Sequence, residues 1–269
     1  MKISYVEDKG IGAISEDKLL IKDGLLGVFD GATSFVKYKD AQGHTGGFLA
    51  SEIAKNTFEY NSGKLIDVAV LANKKIEEEM INAGIDISDK LNLWSTTIAV
   101  VKVSNEDFDW VQIGDSLVVV VYNDDTFKVL IDDYDHDKEW LKIWSGLSQK
   151  MVADIRDHLK ESLYKNRRES NIKYGVFNGE AEAEKFLKSG RESLKNVAHI
   201  LIFTDGLFVP KEDPDEPDNF KILVDLFLRG GLEMVKNYVR DLESKDPNCW
   251  QYVRLKQFDD IAAIAVSFV

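Results

Sequence analysis

The chain has 269 residues, 44% of them hydrophobic, with 47 acidic against 34 basic side chains and a formal charge of -13. That balance repels phosphate backbones and anionic headgroups, so nucleic-acid and membrane-surface binding are set aside, while divalent cations are drawn in. Cys249 is the single cysteine, which excludes a disulfide framework and a CxxC zinc site and fits a reducing compartment.

Reading from the N-terminus, MKISYVEDKGIG lacks the apolar stretch of a signal peptide, and nowhere does the chain reach the ~18 apolar residues of a membrane span, so a cytoplasmic protein is expected. KLLIKD and LLGVFD, from residue 18 to residue 30, are short apolar runs bounded by Asp and Gly and read as strands. Helices are expected over 46 to 60, where Phe48, Ile53 and Phe58 give GGFLASEIAKNTFEY an apolar face, and over 65 to 82. TTIAVVKV, FDWVQIG and SLVVVVYN then read as three further strands. Residues 135 to 180 are polar, partly helical and locally basic at Lys165, Arg167 and Arg168, and read as a variable insertion over one edge of the core. A helix over 181 to 189, the strand HILIFTDG, a helical group over 219 to 243 joined through Gly230 and Gly231, and the strand IAAIAVSFV complete the chain. With four prolines to mark linkers, one domain over 1–269 is expected. The element order predicts an α+β fold, two antiparallel sheets sandwiched by helices in four layers, α-β-β-α.

Acidic residues recur where the apolar runs begin or end. Glu16 and Asp17 precede KLLI, Asp30 follows LLGVF, Asp115 follows VQIG, Asp205 follows HILIFT, and Asp259 and Asp260 precede IAAIAV. A carboxylate at the mouth of a buried strand is costly unless something pairs with it or binds it. Hard cations such as magnesium and manganese want oxygen ligands in octahedral geometry, which carboxylates from several strands can supply, and two such ions activate water for in-line attack on phosphorus. Each Asp-Gly pair by itself reads more readily as a turn than as a metal ligand.

Taken in order, the motifs resemble those of the metal-dependent protein serine/threonine phosphatases of type 2C, and of their compact bacterial branch. They are SEDKLLI at 15 to 21, GVFDG at 27 to 31 with Gly46 and Gly47 opening a helix, STTIAVV at 95 to 101, QIGDS at 112 to 116, LIFTDGLF at 201 to 208 and FDDIAAIAV at 258 to 266. YDHD at 134 to 137 is similar to a segment that follows GDS in bacterial members, and NGEAEAEKF at 178 to 186 also fits that branch. The resemblance implies that Asp30 bridges two manganese or magnesium ions and that Gly31 offers its carbonyl. Asp205 and Asp259 then complete the first ion's shell. Glu16 binds the second ion through water, with Asp17 beside it. A third ion, seen in many bacterial members, would take Asp115 with Asp205. The implied reaction is hydrolysis of phosphoserine or phosphothreonine in a protein substrate by a hydroxide between the ions, centred on Asp30, Asp205 and Asp259. A cognate serine/threonine kinase would be the opposing partner.

Three departures bear on this expectation. Gly12 and Ala13 stand where the family places a phosphate-gripping arginine, so the substrate-binding residue is left open; Lys18, Lys37, Lys39 or Arg167 could substitute, though each is expected to be solvated. Ala32 replaces a histidine of eukaryotic members, and His44 could reach the site, though a histidine in a polar loop is more often exposed. Thr33 and Ser34 replace the second glycine of DGxGG, and an added loop, SFVKYKDAQGHT, follows. Trp94 and Trp110 are expected in the core, and Trp140 and Trp144 are expected to pack the insertion onto the body. The missing arginine motivates an alternative, a family-fold module that binds a phosphoprotein or regulatory partner with little turnover. An aspartyl-phosphate mechanism on FDGAT would need DxDxT, and the second acid is missing.

Overall fold

A computed structural model describes residues 1–32, 35–131, 135, 137–148 and 155–268. Thr33 and Ser34, with Tyr134 and His136 of the YDHD segment, lie outside the described residues. Among the described residues, ten strands form two antiparallel sheets. One has the order β1 (Lys2–Asp8), β10 (Ile261–Ser267), β9 (Val197–Phe203), β6 (Leu117–Tyr122) and β7 (Phe127–Val129). The other has the order β2 (Lys18–Lys22), β3 (Leu25–Ala32), β4 (Ser95–Val103), β5 (Asp107–Ile113) and β8 (Lys188–Ser193).

The central strands are nearly continuous apolar runs because both of their faces are buried. Leu26 and Val28 of β3, Ala99 and Val101 of β4, Val118 and Val120 of β6, and Ile200 and Ile202 of β9 meet between the sheets. Their alternate neighbours point outward into two further cores. Phe29, Ile98 and Val111 pack on α1 (Gly46–Tyr60) and α2 (Leu65–Asn82) through Ala50, Ala54, Phe58, Ala72 and Ile76. On the other side Val119, Leu201, Phe203 and Ala263 pack on α5 (Phe220–Lys245) through Phe220, Leu223, Val224 and Val235. The result is the four-layer α+β sandwich. Trp94 is fully buried in the first outer core and Trp110 in the layer between the sheets.

Helix ends follow their sequence signals. Thr45 caps α1 by accepting from the Phe48 N–H at 3.2 Å, and Asn219 caps α5 by accepting from Ile222 at 3.1 Å. The α5 segment kinks at Gly230 and Gly231, the latter at φ 70°. The helix expected over 181 to 189 is not formed: a 3-10 turn over Ala181–Phe186 gives way to β8, an edge strand of sequence KSGRES whose residues are almost all exposed. Such a strand carries no apolar period, and its charges protect the edge. β1 is likewise an edge strand with few buried side chains.

The 135–180 segment folds as α3 (Lys138–Ser148) and α4 (Ile155–Glu169). Trp140, Trp144 and Leu159 pack on Cys249 and Val253, and the Trp144 indole donates to the Cys249 carbonyl at 2.8 Å. The pair of helices thereby hangs over the strand ends, against the segment that joins α5 to β10.

Candidate metal centre

Register brings the acids together. Because β9 and β10 run antiparallel, with Phe203 opposite Ala263, the residues just after β9 and just before β10 share one end of the sheet, and Leu117 at the start of β6 also faces Phe203. In the facing sheet Lys18 pairs with Phe29, and Asp30 pairs with Thr97. Asp17, Asp30, Asp115, Asp205 and Asp259 therefore meet at one end of the sandwich. The last four line a cleft of about 320 Å³ roofed by Trp140, Leu141, Leu163 and Arg167 of the insertion.

Close approaches at Gly206 and Gly31 need glycine. A Cβ on Gly206 would lie 1.9 Å from the Asp260 carbonyl oxygen, and one on Gly31 would lie 2.4 Å from that of Gly47. The first lets the Asp205 turn sit directly on the start of β10, and the second lets β3 end against the first turn of α1. Asp260 clamps the site's edge: its Oδ1 accepts from Gly10 N–H at 2.8 Å and its Oδ2 from Glu16 N–H at 2.7 Å.

The electrostatics are those of a crowd of like charges. Burial, reinforced by Asp17, Asp115 and Asp259, pushes Asp30 well above the usual carboxylate range, against a smaller opposing pull from Lys256. Burial likewise raises Asp205, helped by Asp30, Asp115 and Asp259 and by a carboxyl–carboxyl hydrogen bond to Asp30. Asp17 is raised by burial and by Asp259, Asp205 and Asp260, with Thr204 donating a hydrogen bond in opposition. Its Oδ2 is buried and has no hydrogen-bond partner among the described residues. Such an orphaned carboxylate oxygen, beside an all-oxygen donor set, fits a hard divalent cation.

Glu16 stands apart from this group. Its carboxylate accepts from the Thr45 hydroxyl, and its carbonyl accepts from the Ser51 hydroxyl at 2.5 Å, which ties it to the start of α1. Its charge is felt by Lys18 and Arg167. Among the described residues, no three His, Cys, Asp or Glu side chains already close around a common ion position. Two contacts offset part of this charge: the Asp30–Asp205 hydrogen bond, and Lys256, whose Nζ lies 2.6 Å from Oδ1 of Asp259. Burial would lower the Lys256 ammonium, but Asp259, with Asp30 and Asp205, more than offsets this and raises it.

The substitute cations fall out differently from the sequence expectation. Lys37 and Lys39 are exposed, as expected. Lys18 is held inward, donating to the carbonyls of Ser15 at 3.0 Å and Asp17 at 3.1 Å above the Phe48 ring. Arg167, expected to be solvated, is instead a half-buried wall of the cleft: it donates to the Ser95 hydroxyl, and its guanidinium lies 5.6 Å from the Phe35 ring centroid. Burial lowers it, partly offset by Tyr174, Asp137 and Glu16. Phe35 also meets Tyr164 edge-on at 5.1 Å, so the added loop after FDGATS and helix α4 clasp each other above the acids. His44 is bound to Asp40 at 2.8 Å and stacked on Phe48 at 4.2 Å rather than turned into the cleft. Lys256 had a readable signal, a lysine three residues before the aspartate of a strand-opening pair. Arg167 had only its place in the basic run NRRE.

No curated protein sequence matches the chain. Solved structures share the fold at low identity. The catalytic domain of the serine/threonine protein phosphatase PstP in complex with two manganese ions superposes with TM-score 0.60 at 14% identity, covering 99% of this chain and 97% of that one. Serine/threonine phosphatase Stp1 from Staphylococcus aureus gives 0.60 at 17% identity, covering 100% and 95%. The Ser-Thr phosphatase MsPP from Mycobacterium smegmatis, in complex with cacodylate, gives 0.58 at 15% identity, covering 100% and 99%. Residues 12–240 match the sequence profile described as Protein phosphatase 2C, and on that match the chain belongs to the protein phosphatase 2C family.

Proposed function

We propose that the chain is a manganese- or magnesium-dependent protein serine/threonine phosphatase, acting as a single domain with residues 135–180 as its variable insertion. The observation that carries this reading is the cleft that sets Asp30, Asp115, Asp205 and Asp259 beneath the Arg167 guanidinium. Asp30, the Gly31 carbonyl, Asp205 and Asp259 would hold two ions, with Asp17 beside them, Glu16 acting only through water, and Asp115 with Asp205 able to take a third. When bound, the ions supply a water nucleophile at neutral pH and neutralise charge on the phosphoryl oxygens.

The chain's own residues do the rest. Arg167 presents a planar donor fork that matches phosphate geometry and takes the place of the arginine missing at Gly12 and Ala13. Its brace is Ser95 at the start of β4 and the Phe35 ring, so its position is set before substrate arrives. Trp140, Leu141 and Leu163 wall the cleft and exclude water from one side. The phosphoryl group of a side chain extended from a protein surface enters between the acids and Arg167. With a guanidinium in that place, the motive for reading the chain as a binding module of low turnover falls away.

The test is hydrolysis of a phosphothreonine peptide. Turnover should vanish in chelator and return on adding manganese; no turnover at any manganese concentration would refute the reading.

A further inference from the structure

Lys256 occupies a place that the motifs do not explain. It lies in the segment between α5 and β10, lines the cleft, and sets its Nζ 2.6 Å from Oδ1 of Asp259, with the charges of Asp30 and Asp205 also bearing on it. The backbone behind it is braced. Arg254 donates to the Gln257 carbonyl at 3.1 Å, to Asp246 Oδ2 at 2.9 Å and to the carbonyls of Glu243 and Asp246 at 3.0 and 2.6 Å. Asp246 in turn accepts from the N–H groups of Trp250, Gln251 and Tyr252. A rigid base thus delivers a flexible four-carbon stem whose compact charge sits on the carboxylate expected to bind an ion. A second observation points to the same place: the carboxylate of Asp17, which is 6% exposed and acts electrostatically with Asp259 and Asp205, has one oxygen with no hydrogen-bond partner among the described residues.

Resting on the metal-centre reading above, we propose that Lys256 is a tethered cation that competes with a divalent ion for Asp259. Loading of the centre is then an exchange in which the ammonium gives up its carboxylate as the ion arrives. The ammonium sits on Oδ1, where the Asp260 N–H also donates at 2.9 Å, and its positive charge opposes that of a divalent ion approaching the same carboxylate. The lysine therefore keeps the acids compatible with folding when manganese is scarce and sets the manganese concentration at which the centre fills.

Calorimetric titration of manganese into the chelator-stripped full chain tests this. Lys256→Met should bind its tightest ion at least tenfold more tightly than the unsubstituted chain, and Lys256→Arg, which keeps the charge, should not. If Lys256→Met fails to fold without metal, Lys256→Gln is used, and the manganese concentration giving half of the thermal stabilisation should fall by the same factor. Lys211, another cleft lysine, pairs with Asp218 at 3.2 Å instead of with Asp259, so Lys211→Met should leave the affinity within threefold. Equal, measurable binding by the unsubstituted and Lys256→Met chains overturns the competition while leaving the metal centre standing. So does equal tightening by Lys211→Met, which would make the effect one of net charge. No manganese binding by either chain overturns both readings together.

Discussion

Replacing Arg167 by methionine removes one guanidinium from the cleft while keeping much of the stem that packs against Phe35. Hydrogen bonds between a charged donor and a charged acceptor contribute about 1.5–3 kcal/mol net. Because Arg167 is half-buried, solvent screens part of its pull on a phosphoryl group, and a value of about 2 kcal/mol is appropriate. At about 1.4 kcal/mol per decade this is about a 30-fold loss of kcat/KM. Arg167→Lys keeps the charge and loses the fork, so its loss should be smaller, about tenfold. The assay is phosphothreonine-peptide hydrolysis at saturating manganese, with a melting curve for each variant so that a folding defect is not read as a binding defect. Arg168, the exposed neighbour, supplies the control, since Arg168→Met should change kcat/KM by less than twofold. The reasoning is refuted if Arg167→Met stays within threefold of the unsubstituted enzyme, or if Arg168→Met loses as much.

Three other outcomes follow from the same geometry. Asp205→Asn should cut turnover by more than about a hundredfold, yet should not lower the melting temperature in chelator, because it removes a charge that Asp30, Asp115 and Asp259 repel; a variant that stays active, or that melts well below the parent, contradicts this. Asp17, Asp30 and Asp205 are held above the ordinary carboxylate value of 3.8, so without bound cations the folded chain keeps protons that the unfolded chain releases. That stabilisation is complete below about pH 4 and is lost as pH rises through the raised values. Chelator-treated protein should melt lower at pH 8 than at pH 5, and manganese should flatten the difference; equal slopes with and without manganese count against the cluster. Finally, Trp144→Ala should cost about 3–5 kcal/mol of local packing between α3 and Cys249, opening the insertion to proteolysis and lowering kcat/KM through Arg167. Unchanged cleavage and unchanged kinetics would show that the roof is not held there.

The core strands were legible because their residues are buried on both faces. Runs such as LVVVVY and IAAIAV can be read without knowing their partners. Edge strands β1, β7 and β8 were not, since one pairing neighbour and a solvent face impose no apolar period; KSGRES reads as a turn or helix end until β5 is seen beside it. At the centre, the strand-end acids could be named from order alone, but their neighbours could not. Arg167 lies 137 positions after Asp30 in the chain and reaches the cleft only because Trp140 and Trp144 dock the insertion on Cys249 and Val253.

What the amino-acid order determined by itself, then, was the set of apolar runs that builds two sheets and the habit of ending strands on carboxylates. Both are local, written in short buried runs and in Asp-Gly turns. What the tertiary structure decided was which charges meet: that Asp17 faces Asp205 and Asp259, and that Arg167 lines one cleft with Asp30. Side-chain encounters across more than a hundred residues depend on strand register and helix docking, and no local pattern in the chain encodes them.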